Sequence, residues 1–286
     1  MADDTQPSLT TPNSDRSEAI TLSLVLPAYN EAENLSYVVE QSVATLRSHF
    51  DHVEIIVVND GSKDETGTVA SDLASAIPEV IVVHHEVNRG YGGALITGFS
   101  ASTGRHVMFM DADRQFDIAD IDRLIPFLSS YDIVAGFRME RSDHLHRRVF
   151  AEIFNVTIRV LFGVHMRDID CAFKIFDGDL IHSIDLKSSG ALINTEIQAK
   201  ARRQGATVQQ VGVRHFPRIA GSSTGGSPRV VIRAMRDTPR LWWHMRTYSP
   251  PAGRPSDSNR HRLGDVVILG TIGAAIMAIA GLIRRR

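Results

Sequence analysis

The stretch VMFMDADRQFD, residues 107–117, indicates the fold of the chain. An apolar run rich in β-forming residues stops abruptly at two aspartates, Asp111 and Asp113, which a single small residue separates. This pattern is typical of a buried parallel strand that ends at the carboxyl edge of a sheet, where open α/β folds bind their ligands. The sequence therefore predicts a strand at 107–110 and a ligand-binding loop directly after it.

The polar side chains of this loop are candidate metal ligands. Asp111 and Asp113, together with the amide of Gln115, offer the hard oxygen atoms that Mg²⁺ and Mn²⁺ prefer. A cation held by one or two carboxylates usually completes its shell with water and with the phosphates of a substrate. The alternative is a structural loop in which Asp117 merely caps a helix at 118–128. Capping accounts for Asp117 alone, so we favour the metal site.

The overall composition restricts the classes of function. With 43% hydrophobic and 22% charged residues over a length of 286, the chain can bury one substantial α/β core plus appendages. Its net charge of −2 gives no reason to expect a nucleic-acid partner. Cys171 is the only cysteine, which excludes a disulfide framework and a cysteine zinc site. The glycines around Tyr91 match neither a Walker loop nor a dinucleotide-binding fingerprint, so kinase and dehydrogenase functions lose support.

Predicted strands and helices alternate along the first half of the chain. The strands lie at 20–26, 53–58, 80–83 and 107–110, and the helices at 30–50, 63–76, 94–102 and 118–128. The second half is less regular, with strands at 131–135, 172–176 and 207–213 and helices at 144–162 and 192–204. Because strands that alternate with helices form parallel sheets with right-handed crossovers, we expect an α/β fold with a mostly parallel central sheet.

Five motifs together resemble a known family. They are VLPAYNE at 25–31, VNDGS at 58–62, NRG at 88–90, DADRQFD at 111–117 and RDIDCAFK at 167–174. In this order and spacing they resemble the family-2 glycosyltransferases of A-type fold, and among them the polyprenyl-phosphate hexosyltransferases similar to dolichol-phosphate mannose or glucose synthase. The resemblance covers residues 22 to about 240. It implies a nucleotide-diphospho-sugar transferase fold. It also implies metal-dependent, inverting transfer of a hexose from GDP- or UDP-hexose to a dolichyl or undecaprenyl phosphate, at the cytoplasmic face of a membrane.

The resemblance also implies roles for single residues. The pocket for the nucleotide-sugar donor would consist of Pro27, Tyr29, Glu31, Asp60, Gly90, Asp111 and Ala112. The Mg²⁺ or Mn²⁺ cofactor would bind to Asp111, Asp113 and Gln115. The catalytic residues at the reacting groups would be Asp113, Arg138 and Asp168. The phosphate of the acceptor would be held by Arg147, Arg148, Arg218 and Ser222.

Two positions depart from the family pattern. Ala172 stands where the family has a glycine, and the Gly-x-Ser-Lys element near the acceptor reads GSST at 221–224, without its lysine. Arg218, or the pair Arg147 and Arg148, must then supply the positive charge for the acceptor phosphate. Arginines suit this task because their planar guanidinium groups bind phosphate through two parallel hydrogen bonds.

The chemistry of sugar transfer agrees with these residue types. A diphosphate leaving group gains negative charge as the glycosidic bond breaks, and a divalent cation neutralises that charge. The departing sugar has oxocarbenium character, so an anion near its anomeric carbon stabilises it. A phosphate monoester acceptor is largely ionised at pH 7, since its second pKa is about 6. The acceptor therefore needs positive side chains more than it needs a strong general base.

Segments on either side of the predicted transferase domain at 20–226 differ in character. Residues 1–19 are polar and predict a disordered tail. Residues 227–248 predict interfacial helices, because arginines with adjacent tryptophans suit an anionic membrane surface. The residues concerned are Arg229, Arg233 and Arg236 on one helix face, Pro239 as the expected end or kink of that helix, and Trp242 and Trp243 after it.

The C-terminal part of the chain predicts a membrane anchor. After a Pro- and Ser-containing linker at 249–265, residues 266–283 form a run of 18 uncharged residues, which is long enough to span a bilayer. The small residues Gly270, Ala274 and Ala278 lie on one side of this run. They would let two copies pack closely in lipid, so we expect that the protein can form homo-oligomers.

Two other functions are open at this point. The enzyme could transfer its sugar to another glycolipid or to a protein, or the chain could be an inactive nucleotide-sugar-binding membrane protein that assists a partner. Intact Asp111, Asp113 and Asp168 argue against the inactive protein.

Overall fold

Seven strands form one mixed sheet in the computed structural model, which describes residues 21–139, 156–219 and 228–251. The strands are β1 (Thr21–Ala28), β2 (His52–Asn59), β3 (Val80–His84), β4 (His106–Met110), β5 (Ile133–Arg138), β6 (Phe173–Asp177) and β7 (Val208–Val213). Their order across the sheet is β3-β2-β1-β4-β6-β5-β7. β6 runs antiparallel to its neighbours β4 and β5, whereas the other pairings are parallel. The prediction of an α/β fold with a mostly parallel sheet is therefore confirmed.

Helices cover both faces of this sheet. They are α1 (Ala32–Leu46), α2 (Thr66–Ala76), α3 (Tyr91–Ala101), α4 (156–162), α5 (Gly178–Ser183), α6 (Ile193–Arg203) and α7 (Pro228–Thr247). Successive strand residues point to opposite faces. Along β1, Leu24 and Leu26 join the core that α1 and α2 cover, while Val25 joins the core that α3, α5 and α6 cover. The strands are thus buried on both faces, which explains their nearly continuous apolar sequences.

The reversed strand β6 brings two distant motifs together. In its antiparallel pairing with β4, Phe173 at the start of β6 lies opposite Met110 at the end of β4. An antiparallel strand begins at the edge where its parallel neighbours end. The residues just before Phe173 therefore lie beside the residues just after Met110, and the motif at 167–174 meets the motif at 111–117.

The segment predicted as one helix at 118–128 has a different form. It consists of two 3-10 helices, Ile118–Arg123 and Ile125–Phe127. Pro126 lacks the backbone N–H that a continuous α-helix would need at that point. Asp117 does cap the first of these helices, as predicted, by accepting a 3.0 Å hydrogen bond from the backbone nitrogen of Ala119.

Other predicted segments are described in part. Pro239 lies inside α7 and does not end it, because Leu241 and Met245 beyond the proline are buried against the core. Of the helix predicted at 144–162, the structure describes 156–162, which is helical. The predicted tail and the predicted span at 266–283, with its small-residue stripe, lie outside the described residues. Within the described parts of the chain, no helix has both the length and the apolar character needed to cross a bilayer.

Candidate active site

Glu31 follows β1 at the carboxyl edge of the sheet. Thr66, the first residue of α2, fixes its backbone, because the nitrogen of Glu31 donates a 2.8 Å hydrogen bond to Thr66 Oγ1. The buried carboxylate accepts hydrogen bonds from Asn34 Nδ2 at 2.7 Å and from Arg218 Nη1 at 2.9 Å. Burial raises the pKa of Glu31, and these two hydrogen bonds only partly offset the rise. Glu31 thus holds an arginine at the sheet edge.

The same arginine also binds Asp113, in the loop after β4. Arg218 Nη2 donates a 2.7 Å hydrogen bond to Asp113 Oδ2, while Asp113 Oδ1 accepts one from the backbone nitrogen of Gln115 at 3.0 Å. The Arg218 side chain is 20% exposed and that of Asp113 is 7% exposed, so water screens the pair weakly. Burial lowers the pKa of Arg218, but Asp113 and Glu31 raise it more, and the guanidinium stays charged.

Gln115 positions the segment that carries Arg218. The backbone nitrogen of Phe216 donates a 2.8 Å hydrogen bond to the carbonyl of Gln115, and Gln115 Nε2 donates a 3.1 Å hydrogen bond to the carbonyl of Phe216. These two bonds fix the backbone at 216 against the loop after β4. Gln115 therefore has a positioning contact, in addition to its predicted role as a metal ligand.

Asp111 lies directly after β4 and is hydrogen-bonded to Tyr91, the first residue of α3. Removal from water raises the pKa of Asp111 to about 7, and the neighbouring charge of Asp113 adds to the rise. Tyr91, Lys174 and Arg218 oppose it. Burial, followed by the charge of Asp111, raises the pKa of Tyr91 well above its usual value, so the tyrosine hydroxyl keeps its proton and donates it. A further cation beside Asp111 and Asp113 would relieve the repulsion between them.

Asp60, predicted in the donor pocket, fixes the loop that precedes α3. Its Oδ1 accepts hydrogen bonds from the backbone nitrogen of Arg89 at 2.8 Å and from His85 Nδ1 at 2.7 Å. Its Oδ2 accepts one from the backbone nitrogen of Gly90 at 2.9 Å. Gly90 has a φ of +86°, which favours glycine at this point of the motif. The buried carboxylate thus fixes the backbone of the NRG motif.

A backbone carbonyl of a distant loop binds the free N–H groups at the amino end of α3. The carbonyl of Ser189 accepts hydrogen bonds from the backbone nitrogens of Gly92 at 2.9 Å and Gly93 at 3.3 Å. Glu196, a buried residue of α6, holds the same loop by accepting a 2.7 Å hydrogen bond from the backbone nitrogen of Ser188. Helix amino ends commonly bind anions through such N–H groups. Here the chain itself uses them, and the sequence analysis missed this contact because it joins two distant segments.

Arg138 and Asp168 form a bidentate ion pair where β5 ends and just before β6 begins. Arg138 Nε lies 2.6 Å from Asp168 Oδ2, and Nη2 lies 2.8 Å from Oδ1. Burial lowers the pKa of Arg138, but Asp168 raises it further, and the net shift is upward. The Arg138 guanidinium therefore stays charged. The two residues, which were both predicted as catalytic residues at the reacting groups, are one unit in the structure.

Lys174 is a site residue that the sequence analysis assigned no role. It is fully buried in β6 and donates hydrogen bonds to the backbone carbonyls of Ile169, at 3.0 Å, and Cys171. Burial lowers the pKa of Lys174. The lysine thereby fixes the loop that carries Asp168. The signal in the sequence was a lysine inside the apolar strand FKIF, because a buried lysine requires polar partners.

The residues at this edge fit a divalent cation. Glu31 and Asp113 converge on a guanidinium, and Asp111 lies close enough to Asp113 for their charges to repel. Carboxylate oxygens are the ligands that Mg²⁺ and Mn²⁺ prefer. Within 21–139, 156–219 and 228–251, no three His, Cys, Asp or Glu side chains form a complete metal site. A cation on Asp111 and Asp113 would therefore take further ligands from water and from substrate phosphates.

The remaining predicted residues divide into two groups. Pro27, Tyr29 and Ala112 lie where β1 and β4 end, beside the carboxylates. Arg147, Arg148 and Ser222, predicted to hold the acceptor phosphate, lie outside the described residues. Arg218 was predicted with that second group, but it contacts carboxylates of the predicted donor pocket and metal site.

The chain is similar to sugar transferases. The family profile described as Glycosyl transferase family 2 matches residues 23–184. Glycosyltransferase AglD of Haloferax volcanii is 28% identical over 270 residues, which cover 91% of this chain and 42% of the relative. Dolichyl-phosphate beta-glucosyltransferase ALG5A of Trichomonas vaginalis is 32% identical over 211 residues, which cover 68% of this chain and 65% of the relative. An undecaprenyl-phosphate 4-deoxy-4-formamido-L-arabinose transferase of Pectobacterium atrosepticum is 33% identical over 166 residues, covering 57% and 50%. The chain spans between 42% and 65% of the length of these relatives.

Solved structures share the fold. Glucosyl-3-phosphoglycerate synthase from Mycobacterium tuberculosis, in complex with Mn²⁺, UDP and phosphoglyceric acid, gives a TM-score of 0.61 at 22% identity, over 82% of this chain and 80% of that one. The same enzyme with Mg²⁺ and UDP gives a TM-score of 0.60 at 21% identity, over 82% and 81%. At this identity the likeness shows the nucleotide-sugar transferase fold and nothing finer.

Proposed function

The chain belongs to glycosyl transferase family 2, and we propose that this glycosyltransferase moves a hexose from a nucleotide diphosphate sugar to a polyprenyl phosphate. The observation that carries the proposal is the group of carboxylates Glu31, Asp111 and Asp113 at the carboxyl edge of β1 and β4. Ligands of open α/β sheets bind at this edge. Relatives named as dolichyl-phosphate and undecaprenyl-phosphate sugar transferases support the class of acceptor.

Asp111 and Asp113, with Gln115, would hold Mg²⁺ or Mn²⁺ together with the diphosphate of the donor. When bound, the cation neutralises the charge that the leaving diphosphate gains. The solved neighbours that contain Mn²⁺ or Mg²⁺ with UDP support this assignment. Glu31 and the loop that Asp60 fixes would then form the wall against the base and ribose of a GDP- or UDP-hexose.

Arg138 and Asp168 would act at the reacting sugar. The bidentate contact keeps the Asp168 side chain oriented, and a carboxylate near the anomeric carbon stabilises oxocarbenium character. A phosphate oxygen of the acceptor forms a bond to the anomeric carbon, while the bond from that carbon to the donor diphosphate breaks on the opposite face. The configuration is therefore inverted. An ionised phosphate has no proton to lose at the attacking oxygen, so a strong base is not required.

The proposed contacts to the acceptor phosphate are Arg147, Arg148 and Ser222. Changing the two arginines to alanine would then raise the KM for the acceptor far more than the KM for the donor. Equal effects on both substrates would contradict this assignment. Arg218 is the least suited of the predicted group, because its guanidinium already binds Glu31 and Asp113.

The exposed side of α7 supports a location at a membrane surface. Leu241 and Met245 pack against the core on the inner side of this helix. The outer side carries basic and aromatic residues at intervals of three and four positions, which places them on one face: Arg233, Arg236, Arg240 and Trp243. Such a face suits an anionic lipid surface. The catalytic domain would then lie at the cytoplasmic side, where nucleotide sugars are available.

The test is a transfer assay with a panel of radiolabelled GDP- and UDP-hexoses and a polyprenyl phosphate, followed by extraction with organic solvent. We expect one nucleotide sugar to label the lipid in the presence of Mg²⁺ or Mn²⁺, and no labelling with EDTA or with the unphosphorylated polyprenol. If the label appears in a protein or in another glycolipid, the acceptor belongs to that class and is not a polyprenyl phosphate. Donor binding without transfer to any acceptor would favour the inactive accessory protein.

A further inference from the structure

Arg218 binds Asp113, a carboxylate that the proposed metal would need as a ligand. Its Nη1 lies 2.9 Å from Glu31 Oε1, and its Nη2 lies 2.7 Å from Asp113 Oδ2. Its third nitrogen, Nε, is buried and has no hydrogen-bond partner in the part of the chain that the structure describes. The guanidinium thus satisfies two carboxylates while one of its own donors stays unused.

The guanidinium and a divalent cation would compete for the same oxygen atoms. A cation on Asp111 and Asp113 would stand next to the positive charge of Arg218, and like charges at this separation in a partly buried site repel strongly. Arg218 also holds Asp113 Oδ2, one of the two oxygen atoms that Asp113 could offer to a metal. Simultaneous binding in the present geometry is therefore unfavourable, and one of the two positive charges must leave.

Rotation of the Arg218 side chain is sufficient for this exchange. The backbone of the segment is held at Phe216 by its two hydrogen bonds to Gln115. The arginine side chain beyond that point is long and 20% exposed, so it can swing away without unfolding the segment. A nucleotide diphosphate in the site would offer the displaced guanidinium new anionic oxygens.

We propose that Arg218 is the resident cation of the donor-free site, and that a divalent metal displaces it only when a nucleotide diphosphate binds as well. This inference rests on the proposed function, since it takes Asp113 as a metal ligand. It implies that the metal alone binds weakly, because it must first remove the guanidinium. It also implies that metal and nucleotide increase each other's affinity by the same factor, as linkage requires.

The test measures Mn²⁺ binding by electron paramagnetic resonance, with and without UDP, and needs neither sugar nor lipid. In the wild type, we expect UDP to lower the Kd for Mn²⁺ by more than about ten-fold. In Arg218→Met, the Kd for Mn²⁺ alone should fall by about five- to ten-fold, and the effect of UDP should shrink by a similar factor. Arg218→Lys should lie between the two, because lysine keeps the charge but lacks the planar fork.

Arg47→Met is the matched control. Arg47 binds Glu79 through Nε at 2.7 Å and Nη2 at 2.6 Å, at the far end of α1 from the carboxylates. The Arg47→Met variant removes an equal charge and an ion pair of the same type. It should leave the Kd for Mn²⁺ unchanged, both with and without UDP. A thermal scan verifies that each variant is folded, and Arg218→Lys provides the test if the methionine variant is not.

Two results would overturn the inference. If the wild type binds Mn²⁺ with UDP but Arg218→Met and Arg218→Lys bind Mn²⁺ alone no tighter than wild type, Arg218 merely neutralises buried carboxylates, and the proposed function stands. If the wild type binds no Mn²⁺ under either condition, the metal site fails, and the inference falls with it.

Discussion

Met110 lies directly opposite Phe173, at the point where β4 ends and β6 begins. This single pairing places the loop with Asp111 beside the loop with Asp168, although the two are distant in sequence. The charge of Lys174, buried in β6, lowers the pKa of Asp111 across the pair, against the larger rise that burial causes. The strand that breaks the parallel pattern is thus the element that assembles the site.

The first prediction concerns Asp113. Asp113→Asn should reduce sugar transfer by about 100-fold or more, because the neutral amide cannot neutralise a divalent cation. The shape of the side chain is kept, so the free energy of unfolding should fall by only about 1–3 kcal/mol, for the weakened bond to Arg218. Initial rates and urea denaturation check these values. Asp122→Asn, at a side chain that is 63% exposed, is the control and should change neither. Full activity in EDTA would contradict the metal site.

The second prediction concerns pH. Asp111 keeps its proton up to about pH 7 in the folded protein, whereas an ordinary aspartate loses it near 3.8. The contribution of Asp111 to folding stability is therefore largest at low pH and is lost as the pH rises to about 7. Metal binding has the opposite dependence, since it requires the carboxylate. The affinity for Mn²⁺ with UDP should fall by about ten-fold for each pH unit below 7.

A variant of Tyr91 sharpens this test. Tyr91→Phe removes a hydrogen bond that lowers the pKa of Asp111, so the midpoint of Mn²⁺ affinity should move to higher pH. Tyr131→Phe, at a ring that packs against the ring of Phe127, is the matched control. Calorimetric titrations from pH 5.5 to 8.5 would measure both. A midpoint that stays near that of the wild type would show that Tyr91 has no influence on Asp111.

The third prediction concerns the pair of Arg138 and Asp168. Arg138→Met or Asp168→Asn should each lower the free energy of unfolding by roughly 3 kcal/mol, because each breaks the bidentate contact of a largely buried ion pair. The double variant should lose less than the sum, with a coupling energy of about 1–3 kcal/mol. The pair of Arg47, whose side chain is 55% exposed, and Glu79 is the control, and its coupling should be about 0–1 kcal/mol. Urea denaturation measures these free energies of unfolding. If the losses of the single variants are additive at both pairs, Arg138 and Asp168 do not act as one unit.

The fourth prediction concerns the region beyond Tyr248. A chain cut after Tyr248 should fold and bind UDP, because Tyr248 anchors α7 through a 2.9 Å hydrogen bond from Gln204 Nε2 to its hydroxyl. The basic face of α7 survives the cut, so the shortened protein should still bind anionic vesicles at low salt, with each arginine contributing about 1 kcal/mol. High salt should release the shortened protein but not the full chain, since screening weakens only the charge attraction. Release of the full chain by salt would contradict a span at 266–283.

Most strands and the position of the carboxylates can be predicted from the sequence, because both depend on local patterns. A short apolar run that stops at a polar loop identifies β4 and the two aspartates after it, whatever the rest of the chain does. Boundaries were less accurate where one backbone group decides them. Pro126, for example, divides the predicted helix into two 3-10 helices by removing a hydrogen-bond donor.

The contacts that complete the site were missed because they join segments without a common local pattern. Arg218 was placed with the acceptor phosphate, yet it binds Glu31 and Asp113. That contact depends on how Gln115 holds Phe216, which only the folded chain reveals. The role of Lys174 likewise depends on the reversal of β6, and no feature of strand periodicity predicts strand direction.

The contact between the amino end of α3 and the loop before α6 has a consequence for how the sequence can vary. A side chain at Gly92 would collide with the carbonyl oxygen of Ser188, so that position should accept glycine alone. Gly190 lies in the same contact, yet a Cβ there would meet nothing within 4 Å. Two glycines that look equivalent in the sequence should therefore differ sharply in a library of substitutions. Active clones should keep glycine at position 92, whereas position 190 should also accept alanine or serine.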